Sequence, residues 1–207
     1  MTLLDALDYA SVFVFALTGA LVASRAQLDI VGFSFVACLT AVGGGTLRDL
    51  LLGRDPVFWV QNPTFILIAV AGAVLVFFTA HRVESRLNWV IWLDSFALAI
   101  AVAAGTGVAL DLGQSTLIVL LMGMSTGCMG GLMRDVVCNE VPLVLKQGEL
   151  YITCAMAGSL AATLAVSGGL PLGIALLICA FTCWVLRAGA IAFGWHLPVY
   201  KSRPPRN

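Results

Sequence analysis

Charged side chains are scarce in this chain. Only 11% of its 207 residues are Asp, Glu, Lys or Arg, against 60% hydrophobic, and mean hydropathy is +1.01. A soluble domain hides its apolar core beneath a charged skin, and these few charges cannot furnish one. Basic excess is missing as well, since 11 Lys and Arg balance 11 Asp and Glu. Nothing therefore points to a nucleic-acid partner. The leading stretch MTLLDALDYA holds Asp5 and Asp8 but no Lys or Arg. A signal peptide needs a basic front end, so the first apolar segment is expected to stay as a membrane helix. His81 and His196 are the two histidines, both at expected interfaces without ligand-like company. Cys38, Cys128, Cys138, Cys154, Cys179 and Cys183 lie in or beside apolar segments, at spacings of neither a disulfide framework nor a zinc site. Cys179 and Cys183, one helical turn apart, are read as packing. No metal site and no cofactor is expected. Enzyme chemistry also lacks a foothold, with no G-x-S-x-G elbow and no protease-like pair of membrane aspartates.

What the chain has in abundance is long apolar runs. About 20 mostly apolar residues in helix cross a hydrocarbon core, and the pattern recurs seven times, at roughly 7–24, 28–52, 63–80, 89–110, 115–138, 149–167 and 170–194. The breaks carry turn and charge residues: SRAQLD, GRDPVFWVQNP, HRVESRLN, DLGQ, NEVPLVLKQGE and SGGLP. Trp59, Trp89, Trp92 and Trp195 fall at the expected ends, where amphipathic rings favour the headgroup level. The fold class expected is an all-α polytopic membrane protein.

An internal repeat organises these runs. With the chain shifted by 86 residues, Asp8 falls on Asp94, Gly19 on Gly105, Gly44-Gly45 on Gly130-Gly131 and Arg48-Asp49 on Arg134-Asp135. Pro56 falls on Pro142, Gln61 on Gln147, and Ala71-Gly72 on Ala157-Gly158. Glycines align by chance in so Gly-rich a chain, but the GGxxRD block, a proline and a leading aspartate rarely share one register. Residues 1–86 form the first three-span unit, 87–168 the second, and 169–207 a seventh span with a short tail. Three is odd, so the second unit enters from the opposite side, giving an inverted repeat whose site is expected at the interface of the halves. Arg25, Arg82, Arg86, Lys146, Lys201, Arg203 and Arg206 fall on one side, and Arg54 with Arg48 on the other. The positive-inside rule makes the first side cytoplasmic, with the N-terminus outside.

The second and fifth spans read FSFVACLTAVGGGTLRDLLLG and TLIVLLMGMSTGCMGGLMRDVVC. Each reaches a glycine cluster and then an Arg-Asp pair. Glycine in a helix costs about 1 kcal/mol relative to Ala, so the clusters invite a kink or an unwound turn whose freed carbonyls must face protein or water. Close helix packing is the bland alternative, and Gly123, Gly127 and Gly131 do form a GxxxGxxxG face. The matched clusters, each followed by ionisable residues, favour a transport pathway. Arg48, Asp49, Arg134 and Asp135 are costly in a membrane and are expected to face the interior and pair. For Asp8 and Asp94 the simple reading is placement at helix N-termini; the alternative is pairing with the arginine of the following span. Arg187 is read as snorkelling.

GGGTLRD at 43–49, GGLMRD at 130–135, the two three-helix repeats and the extra helix resemble the trimeric intracellular cation channel family in its short prokaryotic form. They also resemble related bacterial inner-membrane proteins described as glycine-transporter-like. The resemblance implies a homotrimer with a pore in each subunit, lined by kinked helices two and five at Gly43, Gly44, Gly45, Gly130 and Gly131. It implies potassium as the chief permeant ion, with sodium as a second candidate, in a bacterial inner membrane with lipids as partners. Three functions compete: a passive cation channel, a secondary transporter of a small zwitterion such as glycine, and a non-transporting scaffold in which the glycines only pack helices.

Overall fold

The computed structural model describes residues 2–82, 86–198 and 200, with Arg86 by its backbone alone. Lys201, Ser202, Arg203 and Arg206 lie outside the described residues. Eight α-helices are present among those described: α1 Leu3–Arg25, α2 Ile30–Leu51, α3 Phe58–Gln61, α4 Thr64–Thr79, α5 Arg86–Asp111, α6 Thr116–Val137, α7 Ile152–Ser167 and α8 Leu172–Phe193.

Local chemistry sets several of these bounds. Thr2 and Asp5 close a capping box at the start of α1, with the Asp5 N–H donating to Thr2 Oγ1 at 3.1 Å and the Thr2 N–H to Asp5 Oδ2 at 2.7 Å. Asp29 caps α2 by accepting from the Gly32 N–H at 2.7 Å. Both helices end in a left-handed residue, Gln27 after α1 and Gly53 after α2.

Among the described residues six helices are long and apolar enough to cross a membrane: α1, α2, α4 extended by the 3-10 turn Ala80–Arg82, α5, α6 and α8. The expected sixth span is a shorter helix, α7, of 16 residues. At 1.5 Å per residue it rises about 24 Å, less than a hydrocarbon core of about 30 Å. Outward faces are apolar, with Val31, Phe35, Leu67, Phe78 and Phe181 all well exposed. A helix that is hydrophobic all round belongs in lipid.

Helices α1 and α5 lie at the centre and pack against one another. They run antiparallel. Leu4 near the start of α1 lies against Gly107 near the end of α5, while Thr18 of α1 reaches the arginine held by Asp94 of α5. Helices α2 and α4 pack on α1, α6 and α7 pack on α5, and α8 packs on α5 and α7. The two triplets are thus inverted, and α2 crosses α6 between them.

Candidate functional site

The C-terminal turns of α2 and α6 each carry a buried arginine. Arg48 is fully buried. Its Nη1 donates to Asp8 Oδ1 at 2.9 Å, its Nη2 to Asp8 Oδ2 at 3.4 Å, and its Nε to Asp49 Oδ1 at 2.8 Å. Asp49 also accepts from Arg54 Nη1 at 3.0 Å and from the Phe58 N–H at 2.9 Å, and the guanidinium lies 5.4 Å from the centroid of the Phe58 ring. One aspartate therefore ties a helix end, an arginine and the following loop together. A buried guanidinium demands such company, because an unpaired charge there costs several kcal/mol.

The second half repeats the motif with more closure. Arg134 Nε donates to Asp135 Oδ1 at 2.7 Å, and its Nη1 donates to Asp94 Oδ1 at 2.8 Å and to Thr18 Oγ1 at 2.9 Å. Asp135 accepts from the Leu143 N–H at 2.9 Å. Tyr151 then donates its hydroxyl to Asp94 Oδ2 at 2.5 Å. The equivalent position of the first repeat is Phe65, which has no hydroxyl and stacks on Tyr9 with centroids 4.2 Å apart. Accordingly the Asp94 side chain is 2% exposed and that of Asp8 13%.

Between the two networks, α2 and α6 meet at their glycines. A Cβ on Gly44 would collide with the Thr126 carbonyl oxygen, and one on Gly130 with the Thr40 carbonyl oxygen. The contact is reciprocal in the register of 86. Thr40 and Thr126 match too, each hydroxyl donating to the carbonyl four residues back, Val36 and Met122, at 2.6 Å. Both helices run unbroken through these clusters. The expected unwound turn is not formed. Without side chains the glycines let two backbones touch, and that contact recovers what they give up in helix preference. Gly43 lies against Met133, Gly45 against the Phe58 ring, and Gly131 beside the Asp94 carboxylate.

On the side of the α1 N-terminus two cavities of about 500 and 540 Å³ open. Asp5, Asp8 and Arg54 line both, and Asp111 lines the first. Beneath Asp8 a neck of about 10 Å³ runs between Thr40, Gly44 and Thr126, room for about one water. Asp5, Asp8 and Asp111 give the vestibule wall three carboxylates against one guanidinium, that of Arg54. That excess suits a cation.

Arg48, Asp49, Arg134 and Asp135 thus face the interior and pair. For Asp8 and Asp94 the pairing alternative is the observed one, and Asp5 takes the helix-capping place. Arg187 does not snorkel. It is buried, with Nη1 on Glu149 Oε2 at 2.5 Å and its guanidinium 5.0 Å from the Tyr151 ring centroid, because the loop before α7 brings it a carboxylate and an aromatic face. Sequence reasoning missed Thr18 and Tyr151. Tyr151 was within reach, as a polar residue in register with Phe65; Thr18 has no polar counterpart, its match being Ala104.

Comparison with known proteins gives consistent results. A family described as "Glycine transporter" matches residues 5–81 and 91–167, two stretches 86 residues apart. A Vibrio cholerae UPF0126 membrane protein is 36% identical over 197 residues, covering 95% of this chain and 81% of the relative. The Escherichia coli K12 inner membrane protein YadS is 35% identical over 193 residues, 92% of each chain. Among solved structures, the TRIC trimeric intracellular cation channel orthologue from Rhodobacter sphaeroides is 39% identical with a TM-score of 0.90, covering 94% of this chain and all of that one. A further TRIC cation channel is 26% identical with a TM-score of 0.84, covering 99% of this chain and 100% of its own.

Proposed function

The chain belongs to the membrane-protein family described as glycine transporter and is 39% identical to the Rhodobacter sphaeroides TRIC orthologue over that protein's full length, and from that premise we propose that it is a cation channel selective for monovalent ions, potassium foremost. Each subunit of a homotrimer holds its own pathway, which runs from the vestibule past Asp8 and the neck at Gly44 and Thr126 toward Asp94, between α2 and α6. The observation that carries the reading is the acidic vestibule narrowing onto the glycine crossing of the two repeats. Carboxylates concentrate cations at its mouth, and the threonine hydroxyls and carbonyls at the neck offer oxygen ligands. The buried Arg48 and Arg134 sit behind their aspartates and hold them in place.

A second reading, secondary transport of a small zwitterion such as glycine, is favoured by the name of the matching family and by the one-sided cavity. A vestibule bearing both Arg54 and carboxylates suits a molecule with both charges. Purified protein in a planar bilayer separates the two. Conduction predicts unitary currents that reverse near the potassium equilibrium potential under a potassium gradient. Saturable glycine uptake into vesicles without unitary currents overturns it in favour of transport, and neither activity leaves a scaffold. Native mass spectrometry from mild detergent should show three copies; a monomer that keeps full unitary currents would remove the trimer from the mechanism.

A further inference from the structure

Four charged residues at or just after the ends of α1, α2, α5 and α6 hold matched places in the repeat with their signs exchanged. Arg25 is the last residue of α1, and Asp111, 86 positions later, the last of α5. Arg54 follows α2 and Glu140 follows α6, again 86 apart. Their backbone N–H groups donate to the carbonyls of Asp49 and Asp135 at 2.9 and 2.8 Å. The turns beside them match as well, with left-handed Gly53 and Asn139, and Gln27 and Gly113. Each end of the molecule thus sets a helix-end charge of one repeat against a loop charge of the other.

The two ends are in different states. Arg25 Nη2 stands 3.4 Å from Glu140 Oε1, at the end where Asp94 is buried under Tyr151. At the other end Arg54 turns to Asp49, and Asp111 shares the vestibule wall with it. Among the described residues Asp111 makes no ion pair. Its position is unhelpful to its own helix, since a carboxylate at a C-terminus opposes the dipole. A partner across the vestibule would account for it.

We propose that Arg25–Glu140 and Arg54–Asp111 are alternating clasps on the two ends of the pathway. Closing Arg54 onto Asp111 shuts the vestibule over Asp8. The same movement, pivoting where the α2 and α6 backbones touch at Gly44 and Gly130, releases Arg25 from Glu140 and admits water toward Asp94. This rests on the pathway reading above and adds the control of its two ends: each closed clasp is a non-conducting end state, and ions cross in the intermediate in which both clasps are open. A half-exposed ion pair biases such an equilibrium by up to about fivefold, less at high salt.

The test follows water rather than ions, using full-length protein in membranes. Cys128, buried in the same cluster as Tyr151, is the reporter, with the other five native cysteines replaced by Ala. Arg54→Cys and Asp111→Cys are bridged by a short bifunctional thiosulfonate, and Cys128 is then labelled with a charged maleimide. The bridge should form and raise Cys128 labelling well above the unbridged rate. Independently, Glu140→Gln should raise it about two- to fivefold, and Arg25→Glu combined with Glu140→Arg should return it to the starting value. A Cys128 rate that neither the bridge nor Glu140→Gln alters overturns the proposal. Because no flux is measured, absent currents in the wild type would sink the conduction reading without touching this result.

Discussion

At the residue scale the glycine clusters turn on a comparison of magnitudes. Replacing Gly44 or Gly130 by Ala gains about 1 kcal/mol of helix preference. The same methyl would strike the Thr126 or Thr40 carbonyl oxygen of the facing helix, and backbone cannot swing aside as a side chain does. Overpacking of this kind costs about 1–3 kcal/mol, so the clash should win. Both Gly44→Ala and Gly130→Ala are expected to lower the thermal midpoint of the detergent-solubilised protein, and the Leu variants should lower it further. Conductance of whatever assembles should fall with side-chain size at both sites, since the neck runs along Gly44. An Ala variant that melts higher than wild type would mean that the helix gains more than the crossing loses. Unchanged conductance in well-assembled Leu variants would take the pathway away from these glycines. The unwound turn expected at these positions was the error, since both helices run unbroken through them. Propensity reports only what glycine costs its own helix, whereas its benefit lay in the facing threonine of the other repeat, Thr126 for Gly44 and Thr40 for Gly130.

Helix ends tell a different story at the scale of elements. Most of them are legible because local chemistry decides them: the Thr2–Asp5 box, the Asp29 cap and the breaks at Gly53 and Gly113. Length is less local. α7 stops at 16 residues, after a start delayed by the loop through Pro142 and Gly148 that carries Glu149 to Arg187. No apolar count foresees that pairing. The joints after α2 and α6 depend on Asp49 and Asp135, each of which accepts from an arginine Nε and from a loop N–H, Phe58 or Leu143. Asp49→Ala or Asp135→Ala strips a buried guanidinium of one carboxylate and orphans a backbone donor. Breaking a buried pair from one side costs about 3–5 kcal/mol. Both variants should therefore fail to accumulate as a monodisperse species on fluorescence-detected size exclusion. Normal profiles would show that Asp8 and Asp94 alone suffice to hold the arginines.

For the whole molecule, the inverted repeat was readable from one register, whereas the asymmetry between its ends was not. That asymmetry rests on single exchanges, Phe65 for Tyr151 and Ala104 for Thr18, which leave Asp8 open and Asp94 capped. Basic residues divide unevenly between the same two ends. Arg25, Arg82 and Lys146 lie at the capped end, whereas Arg54 is the cation beside Asp5, Asp8 and Asp111 at the open one. Short-loop basic residues stay in the cytoplasm, so the open vestibule should face outward with the N-terminus. Gln61 lines that vestibule, and Lys146 sits in the loop at the other end. In a background without native cysteines, Gln61→Cys should react with a membrane-impermeant maleimide on intact cells, and Lys146→Cys only after permeabilisation. A bulky adduct on Gln61→Cys should also reduce potassium flux, because it would occupy the cavity proposed to lead ions to Asp8. Labelling of Lys146→Cys but not Gln61→Cys from outside would reverse the orientation. Labelling of Gln61→Cys that leaves flux unchanged would place the pathway elsewhere than this vestibule.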